Sequence, residues 1–145
     1  MQETYSIEDC RYYSTTSYNT NTNPNISLTG LTDFELDFKL TKSVNGATAY
    51  LQLGENNNNK YMMGLVGSQY YDLRVYNNGS IVWNNAQSSL PNGTYDTVFT
   101  MENGVITWKC NNKTITTSDS SVTIDSIFNV TCSSGSISNI KVKPL

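Results

Sequence analysis

At 145 residues the chain is long enough for one domain with a real core, read here as a single domain over 1–145, and too short for two comfortable ones. The net charge of −3, with only nine Lys and Arg scattered along the chain, excludes the basic face of a nucleic-acid binder. Without histidine and without a C-x-x-C spacing among three cysteines, a structural zinc site and Ser-His or Cys-His catalysis are also excluded.

Tyr5–Tyr13 reads as a first strand, and Ser14–Thr29, polar with Pro24, as a loop or a loosely paired edge segment. The start, MQETYSIEDC, has neither the basic nor the apolar region of a signal peptide, so none is expected in this chain. Leu31–Thr41 is the clearest strand. Phe34, Leu36, Phe38 and Leu40 alternate with Glu35, Asp37 and Lys39, and a period of two puts the sets on opposite faces. After Asn45-Gly46, Ala47–Leu53 carries Ala49, Leu51 and Leu53 inward and Tyr50 and Gln52 outward. Asn56–Asn59 reads as an exposed loop, because four amides are costly to bury.

Tyr61–Val66 is a more apolar strand whose facing the pattern does not assign. Tyr70–Tyr76 alternates again, with Tyr71, Leu73 and Val75 inward and Asp72, Arg74 and Tyr76 outward. Asn78-Gly79 supplies the positive φ of a two-residue hairpin into Ile81–Asn85. From Asn92 to Thr117 the chain reads as a meander turning at Asn103-Gly104 and Asn111-Asn112, with Phe99, Ile106, Trp108 and Cys110 buried. Ile124–Thr131 and Ser136–Val142 close the series. Some ten or eleven short strands with Asn- and Gly-rich turns, ten tyrosines and no helical spacing make the chain all-β, read as a two-sheet antiparallel sandwich with a barrel as the lesser alternative. No apolar run approaches the roughly 20 residues of a spanning helix, so membrane insertion is not expected.

Cys10, Cys110 and Cys132 read as small buried hydrophobes, with a Cys10–Cys132 disulfide left open. The sequons at Asn25, Asn78, Asn92, Asn112 and Asn129 are what so Asn- and Thr-rich a chain produces by chance. The outward set Tyr50, Gln52, Asp72, Arg74, Tyr76, Trp83 and Asn85 lies on consecutive strands and is expected to share one sheet face. Rings that cover a sugar's C–H face, beside planar polar groups for its hydroxyls, form a carbohydrate-binding inventory.

The segments FELDFKL, ATAYLQLG, KYMMGLVGS, YDLRVYNNG, NGTYDTVFTMENG, VITWKCNN and ISNIKVKPL follow one another in an order that resembles the concanavalin A-like jelly rolls of the laminin G and lectin/glucanase kind. The likeness covers most of the chain after residue 30. Tyr95 stands where those domains often carry Trp, and Asp96 where they carry His. The resemblance implies a jelly roll whose concave face or rim loops bind carbohydrate. It also raises a single structural Ca²⁺, for which Glu8, Asp9 or Asp125 is the expected carboxylate, although no fixed-spacing metal site is expected.

Glucanases of this fold resemble E-x-D-x-(x)-E, with two carboxylates about 5 Å apart on one strand face. Glu35 and Asp37 share a face here, but Lys39 and Leu40 stand where the third carboxylate belongs, so no enzyme is expected. The expectation is a non-catalytic carbohydrate-binding or adhesion module. It would belong to a larger cell-surface or virion tail/adsorption protein, be extracellular or on a virion, and take a glycan or polysaccharide as partner. The alternative is a purely structural virion or surface domain that builds an assembly and binds no glycan.

Overall fold

The computed structural model describes residues 10–66, 70–88 and 90–145. Thirteen strands appear among them: β1 (Tyr12–Tyr13), β2 (Ser17–Tyr18), β3 (Ile26–Ser27), β4 (Phe34–Lys42), β5 (Thr48–Asn56), β6 (Asn59–Leu65), β7 (Tyr71–Asn77), β8 (Ser80–Gln87), β9 (Gly93–Glu102), β10 (Val105–Cys110), β11 (Lys113–Thr117), β12 (Ser126–Ser133) and β13 (Gly135–Pro144). Every pairing is antiparallel. Sheet A runs β1-β13-β4-β9-β10-β11, with β2 also on β13, and sheet B runs β3-β12-β5-β6-β7-β8. The fold is a two-sheet all-β jelly roll, in which β4–β5, β8–β9, β11–β12 and β12–β13 each cross from one sheet to the other.

The turns follow from side-chain chemistry. Asn78-Gly79 and Asn103-Gly104 both take positive φ, at 51° and 82° and at 52° and 76°, the conformation a two-residue hairpin demands. The Asn103 N–H donates to Asp33 Oδ1, which ties the β9–β10 turn to the chain leading into β4. Asn111-Asn112 also takes positive φ and joins β10 to β11.

Between the sheets the inward residues of β4 (Phe34, Leu36, Phe38, Leu40) meet those of β5, β6 and β7, and none of these four is more than 2% exposed. Phe34 and Tyr61 both lie against Phe99, and Tyr71 meets Trp108 edge-on at 6.2 Å. Leu51, Leu53, Leu73, Val75, Ile106, Ile140 and Val142 complete the expected core, all buried. Burial on this scale stabilises by about 1.5–3 kcal/mol per large side chain.

The polar stretch 14–29 crosses from sheet A to sheet B. Its β2 pairs β13, its β3 pairs β12, Thr22 bridges Val130, and Leu28 is fully buried. Of the expected first strand, Tyr12–Tyr13 is strand and residues 5–9 lie outside the described residues. All three cysteines are free thiols, so Cys10 and Cys132 do not pair. Burial raises Cys110 to about 12 and Cys132 to about 11. The asparagine run is tighter than the loop expected of it. β5 extends to Asn56 and β6 begins at Asn59, and Asn56 Oδ1 accepts from the N–H groups of Asn58 and Asn59.

Candidate functional site on the outward face of sheet B

Antiparallel register places Tyr50, Gly64, Asp72 and Ala86 in one row across β5 to β8. The next row is Asn129, Gln52, Met62, Arg74 and Asn84, and the one after it contains Gly54, Lys60 and Tyr76. All point away from the core, since Leu51, Leu53, Tyr61, Met63, Leu73 and Val75 occupy the alternate positions.

Outward does not mean solvated here. Gln52, Lys60, Met62 and Asp72 are all buried, with Asp72 only 2% exposed. Gly64 makes this packing feasible. Its φ of +136° lies in glycine's region, and a Cβ would stand 2.2 Å from the Ala49 carbonyl oxygen and 2.7 Å from Tyr50 Cα.

One hydrogen-bonded network crosses the face. Arg74 Nε donates to Asp72 Oδ2 at 2.6 Å, and an Arg74 Nη donates to the Tyr76 hydroxyl at 3.4 Å. The Lys60 ammonium lies 4.6 Å from the centre of the Tyr76 ring. Lys60 also donates to Asn57 Oδ1 at 2.7 Å and to Gln52 Oε1. Gln52 Nε2 in turn donates to Asn129 Oδ1 at 2.8 Å, which also accepts from the Thr131 hydroxyl. Burial, and then the nearby Arg74 charge, lower the Lys60 pKa. Asp72 Oδ1 is buried and has no hydrogen-bond partner.

Of the residues expected to share this face, Tyr50, Gln52, Asp72, Arg74 and Tyr76 do so. Trp83 and Asn85 do not. Trp83 pairs with Val75 and Asn85 with Leu73, so both stand at inward positions, and Trp83 packs half-buried against the core. The cause is a β-bulge: Ile81 faces Tyr76, Trp83 faces Val75, and the extra residue Val82 flips the parity of everything after it. Asn84 and Ala86 take the places opposite Arg74 and Asp72.

Sequence reasoning also missed Lys60, Asn57, Asn129 and Thr131. The signal for Lys60 was its even spacing with Gly64, against Tyr61, Met63 and Leu65. Asn129 was hidden by a register shift between Ile127 and Asn129.

The opposite outward face, on sheet A, holds Glu35, Asp37 and Lys39. Lys39 pairs with the exposed Asp96 at 2.8 Å, and Lys141 lies 3.6 Å from Asp37. Burial, and then the neighbouring Glu35 carboxyl, push Asp37 up to about 6, against the pull of Lys141. For the expected Ca²⁺, Glu8 and Asp9 lie outside the described residues. Asp125 is exposed, and among the described residues no group of three or more His, Cys, Asp or Glu assembles.

No protein-family model matches the sequence, and no curated protein matches it. Solved structures do match in fold. The Caenorhabditis elegans galectin LEC-6 superposes with a TM-score of 0.58 at 11% identity, over 88% of this chain and 95% of its own. GH43B of the Bacteroides ovatus xyloglucan PUL gives 0.59 at 12% identity, over 81% of this chain. An Aspergillus kawachii β-fructofuranosidase gives 0.58 at 14% identity, over 90% of this chain. The chain spans only 28% and 27% of those last two proteins, but nearly the whole galectin. The fold is the concanavalin A-like sandwich that the strand order resembles.

Proposed function

We propose that this chain is a non-catalytic carbohydrate-binding module that takes a glycan on the outward face of sheet B. The observation that carries the reading is the unfinished network there. Asp72, itself closed off, fixes the Arg74 guanidinium, which stays 26% exposed and keeps most of its N–H groups without a partner among the described residues. Sugar hydroxyls supply donor and acceptor together, and the half-buried rings of Tyr50 and Tyr76 border the same rows.

Fold neighbours include both a galectin and glycoside hydrolases, so the choice between binding and cleavage rests on residues. The chain lacks histidine, and Lys39 and Leu40 hold the positions a third carboxylate would need. A module of this kind serves adhesion from a larger protein displayed outside a cell or on a virion. A second reading, a structural domain that assembles with other copies, has β8 in its favour. This edge strand has no charged residue and exposes Ile81 at 46% and Val82 at 51%.

A glycan array followed by titration separates the two. Binding of at least one glycan, weakened tenfold or more (about 1.4 kcal/mol) by Arg74→Ala, is expected. Self-association at micromolar concentration with no glycan bound would favour the second reading.

A further inference from the structure

The charges on the outward face of sheet B do not balance. Two cations, Lys60 and Arg74, stand in neighbouring rows of adjacent strands, and the network holds a single carboxylate, Asp72. Arg74 takes that carboxylate through Nε, and its side chain remains 26% exposed while that of Asp72 is 3% exposed. Lys60 is left with neutral partners only: the carbonyl oxygens of Gln52 and Asn57 and the Tyr76 ring. No described acidic residue forms an ion pair with it.

An ammonium has three N–H donors, and these two carbonyls use two of them. A buried cation without a counter-ion is costly, and the repulsion between Lys60 and Arg74 adds to that cost. The surplus positive charge sits in a chain whose formal net charge is −3, so it is local and not a consequence of composition.

Resting on the carbohydrate reading of this face, we propose that the ligand is an acidic glycan, whose carboxylate or sulfate supplies the counter-ion missing from the Lys60–Arg74 pair. The anion meets the partly exposed Arg74 guanidinium, which is suited to planar oxyanions, with the Lys60 charge reinforcing it from beneath. The hydroxyls of the same sugar meet the Arg74 N–H groups left open, while the closed-off Asp72 holds the guanidinium in place. The acid provides the charge and the hydroxyls the remaining partners, so a neutral sugar leaves the two cations uncompensated.

The test uses three probes that share one disaccharide: lactose, 3′-sialyllactose and 3′-sulfated lactose, titrated by calorimetry at low and at physiological salt. At least one acidic probe should bind tenfold or more tightly than lactose, with the ratio shrinking as salt rises. Which acidic probe leads identifies the anion as carboxylate or sulfate. Lys60→Gln should bring the acidic-to-neutral ratio near one.

Because Lys60 is buried, a second variant avoids any folding problem. Asn84→Glu places a carboxylate on exposed β8 directly opposite Arg74, and should collapse the ratio by supplying an internal counter-ion. Lactose binding as tightly as the acidic probes would overturn the charge inference and leave the carbohydrate reading standing. Failure of every glycan on the array would overturn both.

Discussion

On sheet A the outward residues of β4 stay partly open to water, although one oxygen of Asp37 is buried, and their ion pairs are local: Lys39 with Asp96, where the side chains are 44% and 80% exposed. On sheet B the outward residues of β5, β6 and β7 form a shared layer in which Asp72, Lys60, Gln52 and Met62 are as buried as core residues. The same period-two alternation produced both faces. The difference lies in what the side chains find beside them. Glu35 meets Lys143 and Thr100 across the strands, Asp37 meets Lys141 and Val98, and Lys39 meets Ser138 and Asp96. Asp72 and Lys60 meet fixed planar groups, Arg74, Gln52 and the Tyr76 ring, while Gly64 brings Tyr50 down onto the layer. A polar face that orders itself without a ligand is pre-organised, and binding to such a face loses less conformational entropy.

The contrast breaks most visibly at paired aspartates. Asp72→Ala removes the one carboxylate from the sheet B layer and leaves Arg74 and Lys60 facing each other, so it should cost about 2–3 kcal/mol in chemical denaturation. The equal cut on sheet A, Asp96→Ala, should cost no more than about 0.5 kcal/mol, because its pair is open to water. Comparable losses at both sites would mean that the two faces are energetically alike.

A smaller effect belongs to Asp37. Its folded pKa of about 6 lies above the ordinary 3.8, so the folded state binds its proton more tightly than the unfolded one. That contribution is fully present below pH 4 and is lost as pH rises through 6. Asp37→Asn should therefore flatten stability between pH 4 and 6 and leave the variant more stable at pH 7, by about 1–2 kcal/mol after solvent screening. A parent whose Asp37-dependent stability grows across that window would contradict the burial of this carboxyl.

Much of this architecture could be read from the chain. Phe34 to Leu40 alternates without interruption, and the Asn-Gly pairs at 78–79 and 103–104 have few uses other than hairpins, so the strands, turns and core followed. The site was legible only in part. Tyr50, Gln52, Asp72, Arg74 and Tyr76 were placed by parity alone, but parity carries no information about bulges. A bulge opposite Val75 and Tyr76 turned Trp83 and Asn85 inward, and a register shift after Ile127 concealed Asn129. Lys60 escaped notice because Tyr61, Met62 and Met63 are all apolar and mask the alternation of β6.

The claim that one outward face binds and the other does not can be tested directly by an amide NMR titration of the full chain with 3′-sialyllactose. Perturbations should cluster on Gln52, Lys60, Met62, Asp72, Arg74, Tyr76 and Asn129, with Glu35, Asp37, Lys39 and Asp96 unmoved. Saturable shifts confined to the sheet A residues would contradict the account.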